Sequence, residues 1–331
     1  MTVKINKPAV NLREELNELK KPTGLAGEAM LRAETPQEQF NLIGAGRRNL
    51  LINGDFRVWQ RGEGPFTLTW SQYTVDRWNT FSANATLVVS HGTDDSYRDY
   101  AAWTVTVKPT NDRVQPQQVI EKGLTPNTQY TLSFLARGIG FLDDVELRQG
   151  GATSQFFIPE DNVLRDGTEW VKYTHTFTTP SNMDRDNTVA LIWHLSQSTD
   201  KLELSEVQLE LGKVATPFEH RSYGEELALC QRYFTQIKTG RIGGVINASG
   251  HGIVSHPVAF NMRAAPSASY SGTPPIYYMN GTSQLSSTVS GIGGSNGYSL
   301  NLYKANGNTG HGLSFWVDLS NANYFNFDAE L

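Results

Sequence analysis

The chain has 331 residues, a formal net charge of -5 and only 18% charged side chains, with abundant Gly and Ser. Its mild acidity excludes a basic field for holding nucleic acid, its length suggests about two domains, and its composition suits β surfaces and turns better than helices. The single cysteine, Cys230, excludes an internal disulfide framework and fits a reducing cytoplasm, and neither a signal-peptide core nor an apolar run of about 18 residues is present to enter a membrane.

Residues 1–47 read as a short helical arm. Asn11 with Glu14 three positions later forms a capping-box pattern, and Leu12, Leu16 and Leu19 then share one helical face. Thr35, Pro36 and Glu38 repeat the start signal, with Gly44 as a stop. The arm lacks the apolar area for a core of its own, so it docks on something else or stays mobile.

Residues 48–220 change character, with turns now separating runs of period two. Tyr130, Leu132, Phe134 and Ala136 share a face, as do Val171, Tyr173 and Phe177, and then Val189, Leu191, Trp193 and Leu195. Such runs are strands with one face inward, and their spacing fits an antiparallel sandwich of about eight strands. Leu202 and Leu204 alternate with one parity and Val207, Leu209 and Leu211 with the other, which predicts a bulge or sheet crossing at Ser205–Glu206. Residues 221–235 predict a connecting helix, with Ser222 as N-cap, Glu225 as third residue and Cys230 as a small apolar filler. Residues 236–331 predict a smaller β domain, from the alternation of Val258, Phe260 and Met262, of Leu313, Phe315, Val317 and Leu319, and of Phe325, Phe327 and Ala329. Its near absence of charge points to a subunit interface. The fold class is therefore mostly β, a sandwich plus a smaller C-terminal β domain behind a helical arm.

Catalytic and metal patterns do not emerge. Gly293–Gly297 matches Gly-x-Ser-x-Gly, but on a glycine-rich link between strands rather than a strand-to-helix turn. His251 and His256 lack zinc spacing. Asp184, Asp186 and Asn187 offer hard oxygens without the glycine and terminal glutamate of a calcium loop, so a solvated loop is expected there. No cofactor and no metal is implied.

Aromatic surplus is what stands out. Six of the seven tryptophans, Trp59, Trp70, Trp78, Trp103, Trp170 and Trp193, fall in the sandwich. A flat ring beside amide and guanidinium groups can stack on a sugar face while the polar groups bond its hydroxyls. Tyr73, Arg77 and Trp78 in "YTVDRW", with Trp103, Gln117 and Gln118, are the candidate glycan-binding residues, although for any one tryptophan core filling is the better explanation.

Four blocks occur in order: "NLLINGDFRVWQRG" from Asn49 to Gly62, "YTVDRW", "LTPNTQYTLSFLARG" and "LELSEVQLELGKVATPFEHRSYGEELALCQRYF". Together they resemble bacteriophage tail-fibre and receptor-binding virion proteins, whose central jelly roll is similar to carbohydrate-binding modules of families 4 and 9. Met262, Arg263 and Pro266 are similar to a Met-Arg-x-x-Pro strand of their distal domains. The resemblance implies that Phe56 anchors a first strand next to the closing "VQLELG" strand. It also implies that a structural calcium is missing, because Arg57 and Ser205–Glu206 stand where the modules carry carboxylates.

The resulting expectation is a non-enzymatic virion fibre subunit, assembled in the host cytoplasm. It attaches to host-surface polysaccharide, engages tail or capsid proteins through residues 1–47, and works as a homotrimer, with neither nucleic acid nor membrane insertion. A head fibre or capsid decoration protein of the same design is the alternative, and a glycan depolymerase a third. Adhesion of this kind multiplies weak sugar contacts over several copies, raising avidity by roughly 100- to 10,000-fold.

Overall fold

Gln129–Gln149 is one continuous strand that serves two sheets, and the sandwich is built around it. The computed structural model describes residues 48–330 apart from 83–84, 108–113, 150–151, 158–162, 165–168, 196–198, 239, 247–251, 256–261, 273, 281–282, 294–298, 305–313 and 320–323. The two expected arm helices lie outside the described residues, as do His251, His256, Val258, Phe260, Ser295 and Leu313.

Among the described residues twelve strands form the jelly roll: β1 (Phe66–Leu68), β2 (Gln72–Tyr73), β3 (Trp78–Ser82), β4 (Thr86–Thr93), β5 (Asp99–Val107), β6 (Val114–Ile120), β7 (Gln129–Gln149), β8 (Ala152–Phe157), β9 (Val163–Leu164), β10 (Val171–Thr178), β11 (Val189–Leu195) and β12 (Lys201–Leu211). The first sheet runs β1-β4-β5-β12-β7-β10 and the second β2-β3-β6-β11-β7-β8, all antiparallel. Residues 129–139 of β7 pair with β10 and β12, and 142–149 with β11 and β8. The strand changes sheets at Gly138 and Gly140. A Cβ on Gly138 would lie 2.0 Å from the Lys201 carbonyl, and Gly140 has φ of 105°, so glycine is what lets the backbones close up here.

The two inner faces meet in one core. Leu132, Phe134, Ala136, Leu202 and Leu204 from the first sheet pack against Trp78, Val145, Leu191 and Trp193 from the second. The expected parity break is a bulge. Glu206 takes φ of 49°, the register against β7 shifts between Ser205 and Gln208, and Leu204 and Val207 are both fully buried. The first strand differs from expectation. Asn49–Val58 is irregular: Asn53 and Phe56 both have φ of 57°. It still lies beside β12, with Leu50 N–H donating to Leu209 O at 2.9 Å and Val207 N–H to Gly54 O at 2.8 Å.

Helix α1 (Tyr223–Gln231) starts where Ser222 Oγ accepts from Glu225 N–H at 3.3 Å. It stops earlier than the sequence suggests, because Phe234 already pairs with Asp328. Beyond it lie β13 (Phe234–Ile237), β14 (Gly240–Ile246), β15 (Gly252–Ser255), β16 (Ser267–Ser271), β17 (Pro275–Asn280), β18 (Ser283–Gly293), β19 (Ser299–Lys304), β20 (Ser314–Leu319) and β21 (Tyr324–Asp328). Strands β13-β21-β16 form a small sheet, and β14-β15-β19-β18-β17-β20 close into a barrel rather than a second sandwich. Phe315, Val317 and Leu319 are buried as the alternation predicts. The Met262–Pro266 segment is not a strand; Arg263 instead ties chain ends together, its N–H donating to Arg232 O at 2.8 Å and its Nε to Ala329 O at 2.7 Å.

Asp76 lies where the sandwich meets this C-terminal sheet. Gln60 donates its backbone N–H and its amide to the carboxylate at 2.6 and 2.5 Å, and also donates to Phe234 O at 2.7 Å. Burial nevertheless raises the Asp76 carboxyl to about 6, against the Arg61 charge and the Gln60 bonds that lower it. Native Asp76 therefore holds its proton between pH 4 and 6, where the unfolded chain has lost it. The stability this group confers is present below about pH 4 and is lost as pH rises through 6, about 3 kcal/mol in all. Urea unfolding of the wild type and of Asp76→Asn at both ends of that window checks it. The wild type should gain on the variant at the acid end, whereas a pH-independent difference contradicts the assignment.

Candidate functional site

Strand parity makes a second, outward face on the second sheet. With Trp78 and Thr80 inward on β3, Asn79 and Phe81 point out; with Leu191 and Trp193 inward on β11, Ile192 and His194 point out. Cross-strand pairing sets these in rows. One runs Tyr73, Asn79, Gln117, Ile192, Glu146, and beside it Phe81 pairs with Gln115.

The polar groups on this face hold one another. Gln117 Nε2 donates to Asn79 Oδ1 at 3.3 Å, and Ser71 Oγ donates to the same oxygen at 2.9 Å. His194 bonds through both nitrogens, Nδ1 with the Gln115 amide at 3.1 Å and Nε2 with Glu146 Oε2 at 2.8 Å. Asp144 stands 3.6 Å from the same Nε2. Arg148 grips Glu146 bidentately at 2.9 and 2.6 Å, the geometry of a strong charge-assisted pair. Glu146 and His194 are 1% and 2% exposed, so they form a dry floor, while Phe81 on the same face is 38% exposed. Trp70, in the turn leading to edge strand β2, is 77% exposed. The half-buried Asn79 and Gln117 amides beside the exposed Phe81 ring, held over this buried floor, suit recognition of hydroxyl-rich ligands.

The six residues singled out from sequence scatter. Gln117 lies on this outer face. Tyr73 begins the same row but is half-buried at its edge, with the Arg61 guanidinium 5.7 Å from the ring centre. Burial first, then the Glu330 charge, pushes its hydroxyl up to about 12. The other four are corrected by the structure. Trp78 and Trp103 are fully buried in the core, their indole N–H groups donating to Asn53 O at 3.0 Å and Thr80 Oγ1 at 2.8 Å. Neither offers a face to a sugar. Gln118 is buried and spent on the Ile52 backbone, accepting from its N–H at 2.9 Å and donating to its carbonyl at 2.7 Å. Arg77 is buried and pairs with Glu330 at 2.5 Å, a structural role. Arg77 and Gln118 do both line a cavity of about 260 Å³ between α1 and β6, beside Arg221 and Tyr233.

The sequence reasoning missed Asn79, Phe81, Gln115, Asp144, Glu146, Arg148 and His194. A signal for most of them was present. The alternation that puts Trp193 inside puts His194 outside, and the same parity on β3 exposes Asn79 and Phe81.

No family model matches the sequence, and no curated protein matches it. Among solved structures the chain is similar to a protein described as "CBM4 structure and function", at 21% identity over 48% of this chain and 98% of that one, with a TM-score of 0.36. It is similar to the enzymatically active domain of tailspike protein 4 of bacteriophage CBA120, at 14% identity over 50% of this chain and 21% of that one, with a TM-score of 0.36. A third likeness is to the CBM22-1 xylan-binding domain of Paenibacillus barcinonensis, at 16% identity over 46% of this chain and 99% of that one, with a TM-score of 0.30.

Proposed function

We propose that this chain is a phage virion fibre subunit that attaches the particle to host-surface glycans by non-catalytic binding. The observation that carries the reading is the outer face of the second sheet. There the Asn79–Gln117 amides and the Glu146–His194–Gln115 array lie beside a ring, Phe81, that water still reaches. Binding without catalysis is supported by Glu146, whose carboxylate is committed to Arg148 and His194, whereas glycoside hydrolysis takes a carboxyl that protonates the leaving oxygen. Residues 1–47 then serve as the attachment to tail or capsid proteins, and the chain acts as a homotrimer within the virion.

Binding of the full chain to an array of bacterial surface glycans tests the reading. A Phe81→Ala, Gln117→Ala double variant is expected to bind its best glycan at least about tenfold more weakly, the loss of roughly 1.4 kcal/mol in contacts, with an unchanged unfolding midpoint. Wild-type affinity in the double variant, or no glycan bound at all, overturns it.

A further inference from the structure

A second cavity lies on the opposite side of the sandwich, where the Asp94–Asp99 turn faces the β12 bulge. It measures about 340 Å³, at the small end of the roughly 300–1,000 Å³ typical of small-molecule sites. Three features of it point to a ligand.

The first is an acceptor without a donor. Asp55 lines the cavity with a side chain only 10% exposed, and its Oδ2 is ion-paired with Arg57. Its Oδ1 is buried without a hydrogen-bond partner. Burial pushes this carboxyl up, against the Arg57 guanidinium that pulls it down. A buried carboxylate oxygen left without a donor is destabilising, and a ligand hydroxyl would satisfy it.

The second is an aromatic ring held out in water. Tyr97 lines the cavity, is 90% exposed and sits at φ of 59°. A bulky side chain rarely adopts that backbone conformation. Asp94 enforces it. Its carbonyl accepts from Tyr97 N–H at 2.9 Å, and its Oδ1 accepts from the N–H groups of Ser96 and Arg98, each at 2.9 Å. The turn is braced in turn by Trp170, whose indole N–H donates to Asp94 Oδ2 at 2.9 Å.

The third is charge. Arg57 pairs with Asp55, and Arg98 pairs with Asp94 at 3.1 Å and Glu206 at 2.9 Å. Arg57 also donates to Arg221 O at 2.6 Å. The lining sets these two guanidiniums against three carboxylates, Asp55, Asp99 and Glu206, so no positive field is left for an anion. Among the described residues no three His, Cys, Asp or Glu side chains are arranged to hold a metal ion. What remains is a wall of mixed donors and acceptors beneath an exposed ring, which matches a neutral hydroxyl-bearing ring. Each sugar hydroxyl both gives and takes a hydrogen bond, and the C–H face of the ring stacks on an aromatic.

We propose that this cavity is a second ligand site of the chain, one that takes a neutral pyranose ring stacked on Tyr97 with a hydroxyl donating to Asp55 Oδ1. It stands apart from the outer face of the second sheet and does not require that face to bind sugar.

Saturation-transfer NMR on the full chain tests it, with methyl α-D-glucoside, methyl α-D-galactoside, methyl α-D-mannoside, glucuronate and calcium chloride as probes. At least one methyl pyranoside should receive saturation. Tyr97→Ala should weaken its binding about fivefold or more, and because that side chain is exposed the variant keeps its fold. Asp55→Asn should weaken it as well, and Phe81→Ala should leave it unchanged. The proposal is overturned by no transfer to any methyl pyranoside, by transfer to glucuronate alone, by displacement of the sugar by calcium, or by unchanged pyranoside affinity in Tyr97→Ala. Loss of the signal with Phe81→Ala but not Tyr97→Ala assigns the sugar to the second sheet, and overturns it too.

Discussion

Replacing Trp78 with alanine is expected to lower the unfolding free energy by about 3–5 kcal/mol, the cost of deleting a large aromatic from a packed core. The residue has no exposed surface. Its ring lies 4.7 Å from Phe56 and 5.4 Å from Trp193, and its N–H donates to the Asn53 carbonyl at 3.0 Å. That last bond ties the second sheet to the Asn53–Gly54 turn, so the substitution also leaves a buried carbonyl without its donor. Urea unfolding checks it, with Trp70→Ala as the contrast. Trp70 is 77% exposed, and its loss should change stability by less than about 0.5 kcal/mol. A Trp78→Ala protein with the wild-type midpoint would contradict the core assignment and return Trp78 to the candidate ligand contacts.

The second large effect lies at the junction with the C-terminal sheet. Arg77, 2% exposed at the side chain, meets Glu330, 4% exposed, at 2.5 Å. Its other terminal nitrogen donates to Val119 O at 2.6 Å, and its guanidinium sits 3.5 Å from the centre of the Tyr233 ring. Glu330→Ala removes the partner and leaves a buried cation, which costs about 3–5 kcal/mol. Combining it with Arg77→Met should restore most of that loss, because an apolar pair carries no unpaid desolvation. Denaturant unfolding of the wild type, both single variants and the double variant measures the coupling. Additive losses would mean that the two groups do not depend on each other.

The sandwich was legible because its signal is local. Alternation in Tyr130–Ala136, Val189–Leu195 and Lys201–Leu211 names the inner faces directly, and the parity break at Ser205–Glu206 located a bulge that the φ of Glu206 explains. What was not legible is what depends on distant partners. Nothing near residue 77 announces that Arg77 meets Glu330, 253 positions away, so the motif "YTVDRW" reads as a polar surface cluster when it is a buried seam. The opening block implies a first strand anchored by Phe56, but Asn53 holds the segment in a loop by accepting from Val58 N–H at 3.0 Å and donating to the carbonyls of Val58 and Asp76. The outer face of the second sheet fell between these cases. Each residue's outward parity was readable, while the pairing of β3, β6, β11 and β7 that sets them side by side was not.

The measurement that bears most directly on glycan attachment is a crystal structure of the full chain with its best-bound oligosaccharide from the array. A sugar is expected against the outer face of the second sheet, within hydrogen-bond distance of the Asn79 and Gln117 amides and in contact with the Phe81 ring. A sugar bound only on the C-terminal barrel, with that face bare, would contradict it and make the sandwich a spacer.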